Sequence, residues 1–101
     1  MTVLVDANNV RRSIWPNISE EELGRRCEAW AHSHGHDVVA IFDGRKSADD
    51  EIAERADALR GAGRRFWLVT SDRGLRARAE EGAGRVLGGG AFVRELLAGD
   101  P

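Results

Sequence analysis

Short, nearly continuous apolar runs alternate along this chain with longer stretches in which apolar residues return every three or four positions. Val3 to Val5 ends at Asp6. Residues 37–42 read Asp-Val-Val-Ala-Ile-Phe and end at Asp43-Gly44, and residues 65–70 read Arg-Phe-Trp-Leu-Val-Thr and end at Ser71-Asp72. A weaker fourth run, Arg85-Val86-Leu87, is closed by three glycines. Continuous rather than alternating apolar character predicts parallel strands covered on both faces. Between the runs, Ser19–His34 carries Leu23, Cys27, Trp30 and Ala31 at helical spacing, and Ser19 with Glu22 fits a capping box. Residues 48–59 place Ile52, Ala53, Ala56 and Leu59 on one stripe behind a Ser47 cap, with Asp50 in the capping-box position. A shorter helix is predicted over 72–81 with Leu75 and Ala79 inward, and a last one over 91–97. Residues 7–18, containing Trp15-Pro16, read as one long irregular connection and a place for a substrate-facing loop.

Strand and helix in regular alternation predict an α/β domain with a central parallel sheet of about four strands between two helical layers. With 101 residues and no linker, repeat or low-complexity tract, residues 1–101 read as a single domain. The apolar share of 42% supports a core and excludes a disordered chain. No apolar run is long enough to span a bilayer, and the first residues lack the pattern of a signal peptide. A lone Cys27 excludes an internal disulfide, so a reducing, cytoplasmic setting without membrane contact is the expectation. The net charge of −2 does not mark a generic nucleic-acid binder, although a local basic cluster could still make contact.

The chemistry suggested by the pattern lies at the strand ends. Asp6, Asp43 and Asp72 each close a run, and in a parallel sheet all carboxyl ends share the edge where ligands bind. Asp49 opens the helix whose N-terminus points at that edge. Crowded carboxylates raise one another's pKa unless a cation intervenes, and Mg²⁺ or Mn²⁺ suits oxygen ligands. Such a centre would serve hydrolysis of phosphodiesters. Any one of these aspartates serves equally well as a helix cap or turn residue, so the argument rests on their convergence. Arg11, Arg12, Arg45, Lys46 and Arg73 follow strand ends closely and are candidates to position phosphates, or are simply charged loop residues. Trp15 is a candidate to stack on an unpaired base, or an apolar lid ahead of Ser19. His32, His34 and His36 have metal-ligand character but fit a solvated helix end stopped by Gly35. Cys27 lies on a core stripe. The stretches Gly82-Ala83-Gly84, ahead of a strand, and Gly88-Gly89-Gly90 read as connections.

Val-Asp-Ala-Asn-Asn-Val at 5–10, Ile-Phe-Asp-Gly at 41–44, Ser-Ala-Asp-Asp-Glu-Ile at 47–52 and Val-Thr-Ser-Asp-Arg at 69–73 occur in this order. Together they resemble the NYN branch of the PIN-like nucleases, in particular the bacterial YacP-like group, and the likeness spans nearly the whole chain. The resemblance implies a Rossmann-like (PIN-like) three-layer fold and metal-dependent cleavage of RNA. It implies metal-binding acids at Asp6, Asp49 and Asp72, with Asp43 a further acid at the rim. Asn9 would orient Asp6 or a metal-bound water, while Thr70 and Ser71 match the hydroxyl positions before the last acid. Ala7 and Asn8 depart from the Gly and aromatic residue common in the first motif, and the chain is short for the family.

The expectation is therefore a Mg²⁺- or Mn²⁺-dependent ribonuclease acting on RNA, and its small size makes a homodimer a reasonable assembly. An antitoxin or ribosome partner stays open. A non-catalytic RNA-binding or adaptor module on the same frame is the alternative. A phosphatase of the haloacid dehalogenase type would want an aspartate where Asn8 stands, and a receiver-like domain would want a fifth strand and a lysine nearer the edge than Lys46.

Overall fold

The computed structural model describes residues 1–98. Four strands, β1 (Thr2–Asp6), β2 (Asp37–Ile41), β3 (Phe66–Val69) and β4 (Ala83–Leu87), form one sheet in the order β2-β1-β3-β4, every pairing parallel. Five helices surround it: α1 (Ala7–Arg11), α2 (Glu20–His34), α3 (Ala48–Gly61), α4 (Arg73–Ala79) and α5 (Gly89–Leu97). This is the three-layer α/β arrangement that the alternating pattern predicts. No helix among the described residues is long and apolar enough to cross a membrane.

Strand alternation sorts the core into two halves. Val3, Val5 and Val69 face one side, where they meet Val10 of α1, Leu23, Cys27 and Trp30 of α2, and Phe92, Val93 and Leu96 of α5. Leu4, Ile41, Phe66 and Leu68 face the other, against Ile52 and Ala56 of α3 and Leu75 and Ala79 of α4. Both faces being covered explains why the strands read as unbroken apolar runs. Cys27 is a core residue as expected, and burial pushes its thiol up to about 12. The order of strands reverses between β1 and β3, so the crevice at their carboxyl ends is the topological switch point of the sheet.

Capping follows the sequence in half-measure. Ser19 Oγ accepts from the Glu22 N–H at 3.1 Å, and Ser47 Oγ accepts from the Asp50 N–H at 3.2 Å. The return contacts of the two capping boxes are not made, because arginines compete for the carboxylates: Glu22 takes Arg26 Nε at 3.2 Å and Asp50 takes Arg78 at 2.8 Å. α2 ends at Gly35 in the left-handed region, φ 69°, with its N–H on the Ala31 carbonyl.

Three local expectations are corrected. The segment 7–18 is not wholly irregular, since Ala7 and Val10 are buried and draw residues 7–11 into α1. Gly84 lies inside β4 rather than before a strand; the ladder shifts register at Phe66/Trp67, and the site faces the edge of the Trp67 ring with no side chain of its own. Trp15 is no apolar lid on the helix behind it, because 86% of its surface faces solvent. His32 and His34 are exposed, as a solvated helix end implies, and the rings of His34 and half-buried His36 also stack on Trp30 with centroids 5.2 and 5.0 Å away.

Ser47 starts the helix that carries Asp49. Ser47→Ala should lower the unfolding free energy by about 1 kcal/mol in denaturant titrations, whereas Ser47→Asp should restore it, since either side chain can accept from the Asp50 amide.

Candidate active site

At the carboxyl ends of β1 and β3 the chain gathers its acids. Asp6 is the last residue of β1 and is 6% exposed. Its Oδ2 accepts from the hydroxyl of Thr70 at 2.8 Å, and Thr70 is fully buried just beyond β3. The same Thr70 oxygen accepts from the backbone N–H of Asp72 at 3.1 Å. Asp72 caps α4, its Oδ1 taking the Leu75 N–H at 2.8 Å, which leaves Oδ2 without a hydrogen bond among the described residues. Asp49 sits half-buried in the first turn of α3 and accepts no hydrogen bond among the described residues.

The electrostatics show that these acids share one field. Burial is the largest influence on Asp6 and lifts its carboxyl above the ordinary range; the Thr70 hydroxyl pulls it down, and so does the nearby Asn9 N–H, which does not close a cap hydrogen bond. The charges of Asp49 and Asp72 push it up again. Asp49 is raised too, first by desolvation and then by Asp72, with Asp43 and Asp50 adding to it and Arg78 opposing. Asp50 lies outside this group: its hydrogen bonds to Arg78 and Ser47 hold it low.

The other expected residues divide into those joined to the edge and those committed elsewhere. Asn9 stands beside Asp6, but its Oδ1 accepts the Ser71 N–H at 2.9 Å, so it clamps the turn after β3. Ser71 Oγ in turn accepts the Gly89 N–H at 2.8 Å, which spends the first amide of α5. Asp43 is structural on both oxygens: Oδ1 takes the Ala48 N–H at 2.8 Å and Oδ2 takes Asn8 Nδ2 at 2.9 Å. Arg11 turns away to the Ile18 carbonyl at 2.8 Å and faces Glu20 at 3.6 Å. Lys46 pairs with Glu54. Arg12 lies exposed with Nε on the Asn8 carbonyl, and the exposed side chains of Arg45 and Arg73 have no hydrogen bond or ion pair among the described residues.

Several contributors are not among the residues singled out from the sequence. Arg76 Nε donates to the Thr70 carbonyl at 2.8 Å, Arg78 tempers Asp49, and Asn8 holds Asp43. Gly89 is required by contact: a Cβ there would lie 2.6 Å from Asn9 Oδ1 and would also collide with Ser13 Oγ. Open hollows of about 510 and 470 Å³ lie elsewhere, around Trp30, His34 and Glu95, and share no residue with the acidic edge.

As they stand, no three His, Cys, Asp or Glu side chains among the described residues form a group that could hold a metal ion. Mg²⁺, however, is commonly held by one or two carboxylates with retained waters and substrate phosphate rather than by an all-protein cage. Asp6, Asp49 and Asp72 each keep an oxygen without a hydrogen-bond partner among the described residues, and Asp6 and Asp49 are raised first by burial and then by neighbouring carboxylates. Searches of protein-family models, of curated proteins and of solved structures each find no match to this chain.

Two outcomes follow. Because the native fold raises the Asp6 carboxyl, folding favours the protonated form; its contribution is most favourable below the unfolded value of about 3.8 and declines as pH rises through the native value. Asp6→Asn keeps an acceptor for Thr70 and removes the charge. It should therefore melt higher than the wild type at pH 7, each kcal/mol gained appearing as about 4–8 °C, and lose that advantage below the unfolded carboxylate range. Gly89→Ala should destabilise by about 1–3 kcal/mol through overpacking, seen as a lower denaturation midpoint.

Proposed function

We propose that the carboxyl edge around Asp6, Asp49 and Asp72 is the centre of a metal-dependent ribonuclease, hydrolysing RNA phosphodiester bonds on an NYN/PIN-like version of this fold. One observation carries the reading. Three carboxylates from three separate elements stand at the switch point of the sheet: Asp6 is lifted by burial and then by the charges of Asp49 and Asp72, and Asp49 by burial and then by Asp72. Thr70, Asn9 and Arg78 offset only part of that shift, and carboxyls perturbed in this way and gathered at a sheet edge are characteristic of functional sites.

Mg²⁺ or Mn²⁺ held by Asp6, Asp49 and Asp72 would supply an activated water and charge stabilisation for the leaving oxygen. The chain's own contribution is positional. Thr70 fixes Asp6 through Oδ2; the α4 cap fixes Asp72; the Asn9–Ser71–Gly89 chain of hydrogen bonds holds the turn between them. Arg12, Arg45 and Arg73, exposed and free of ion pairs among the described residues, are the cations available to backbone phosphates. Arg11 and Lys46 are already engaged.

The non-catalytic RNA-binding frame is the second reading. It is favoured by Asp43 being fully spent and Asp72 half spent on caps. Cleavage of a labelled, structured RNA in Mn²⁺, in Mg²⁺ and in EDTA separates the two. Cutting should require the ion and fall at least about 10- to 100-fold in both Asp6→Asn and Asp72→Asn. Asparagine still caps α4, so a loss in Asp72→Asn would not reflect unfolding. No cutting in any ion, with RNA bound equally by all three proteins, would replace the nuclease with the binding frame.

A further inference from the structure

Trp15 has the most unusual environment of the chain's three tryptophans. Trp30 and Trp67 are packed into a ring cluster with His36 and Phe92, Trp30 being edge-on to Phe92 at 5.1 Å. Trp15 is 86% exposed, and the only other large apolar residue left exposed among those described is Met1 at 41%. The loop that carries it is nonetheless tied down on both sides. Its neck closes through the Ile18 N–H on the Arg11 carbonyl at 3.3 Å and Arg11 Nε on the Ile18 carbonyl at 2.8 Å. On the incoming side the Ser13 N–H meets the Val10 carbonyl at 3.1 Å and Ser13 Oγ donates to the Asn9 carbonyl at 2.7 Å. Ile14 and Ile18 lean into the core on either side of the tip. The indole is thus held outward by a fixed loop.

The loop stands at the acidic edge. Ser13 hangs from Asn9, and Asn9 holds Ser71, the neighbour of Asp72. Two residues of chain reach at most about 7 Å, so the Trp15 backbone lies within that distance of Ser13. We infer that Trp15 is a stacking surface for an unpaired base of the nucleic acid lying across this edge, an inference that rests on the nucleic-acid reading of the site. The surroundings favour a flat single ligand over a protein face. Trp15 and Met1 are the only large apolar residues exposed among those described, and Arg12, Ser13 and Asn17 are exposed in the same loop, so the indole is one ring and not part of the broad apolar patch that a subunit contact uses. Arg12 is exposed in the same loop and offers a cation to the phosphate beside a stacked base.

Binding of a 5′-labelled ten-nucleotide single-stranded RNA, followed by anisotropy in EDTA, tests this without relying on cleavage. Trp15→Ala should weaken binding about 5- to 150-fold, Trp15→Phe should recover most of it, and a blunt duplex of the same sequence should bind both variants like the wild type. Melting temperature should not move, since the indole touches little of the protein. Equal affinity of wild type and Trp15→Ala for the single strand overturns the inference, and so does wild type that fails to bind it. If Trp15→Ala instead changes the sedimentation coefficient and leaves RNA binding alone, the ring belongs to a contact with a second copy. The chemistry fails separately: absence of metal-dependent cutting, with the Trp15 effect intact, removes the nuclease and leaves the stacking surface.

Discussion

Thr70 uses every polar group it has, and the edge of the sheet is organised around it. Its N–H reaches the Leu87 carbonyl at 2.9 Å, its carbonyl receives Arg76, its hydroxyl donates to Asp6 and the same oxygen receives the Asp72 N–H. One buried residue therefore ties the ends of β1, β3 and β4 to the start of α4. A hydroxyl has a single proton to give, and here it goes to the carboxylate. Valine in its place would leave a nearly buried charge without its closest donor and would free the amide that sets Asp72, so the relative positions of the two acids depend on this contact.

Against that cohesion stands the repulsion of the acids. Asp6 and Asp49 are both easier to protonate in the folded chain than in the unfolded one, so at neutral pH their charges oppose folding. The apolar halves of the core on either side of the sheet carry that cost, and the arginines beside the site cancel it only in part: Arg76 serves a carbonyl, and Arg78 eases Asp49 while bonded to Asp50.

The sequence carried the architecture because unbroken apolar runs admit few arrangements other than a covered parallel sheet. It also carried the acids, since each ends a strand or begins a helix and the topology does the gathering. What it hid has a common cause. Asn8 meets Asp43, Asn9 meets Ser71 and Gly89 meets Ser13 only after the strands are ordered β2-β1-β3-β4, and no local spacing encodes that order. The triple glycine was legible as a break in pattern but not as a point of close approach. Asp43 looks the same as Asp6 in the sequence, and the two differ in what surrounds their oxygens: two amide donors for exposed Asp43, the Thr70 hydroxyl for buried Asp6. Asp50 and Glu22 kept their caps on paper and lost the return contact to arginines that one-dimensional pattern does not bring near.

The strand order also has a bearing on synthesis. Thr2 lies opposite Asp37 on one side and Phe66 on the other, so the central strand is made well before either neighbour exists. During translation at roughly 5–20 residues per second, β1 waits several seconds with both edges unpaired, first for β2 and then longer for β3. The hydroxyl that secures Asp6 arrives only when residue 70 has left the ribosome. A nascent chain of this topology therefore gains its acidic edge late and all at once, and it depends until then on whatever shields a bare Val-Leu-Val strand.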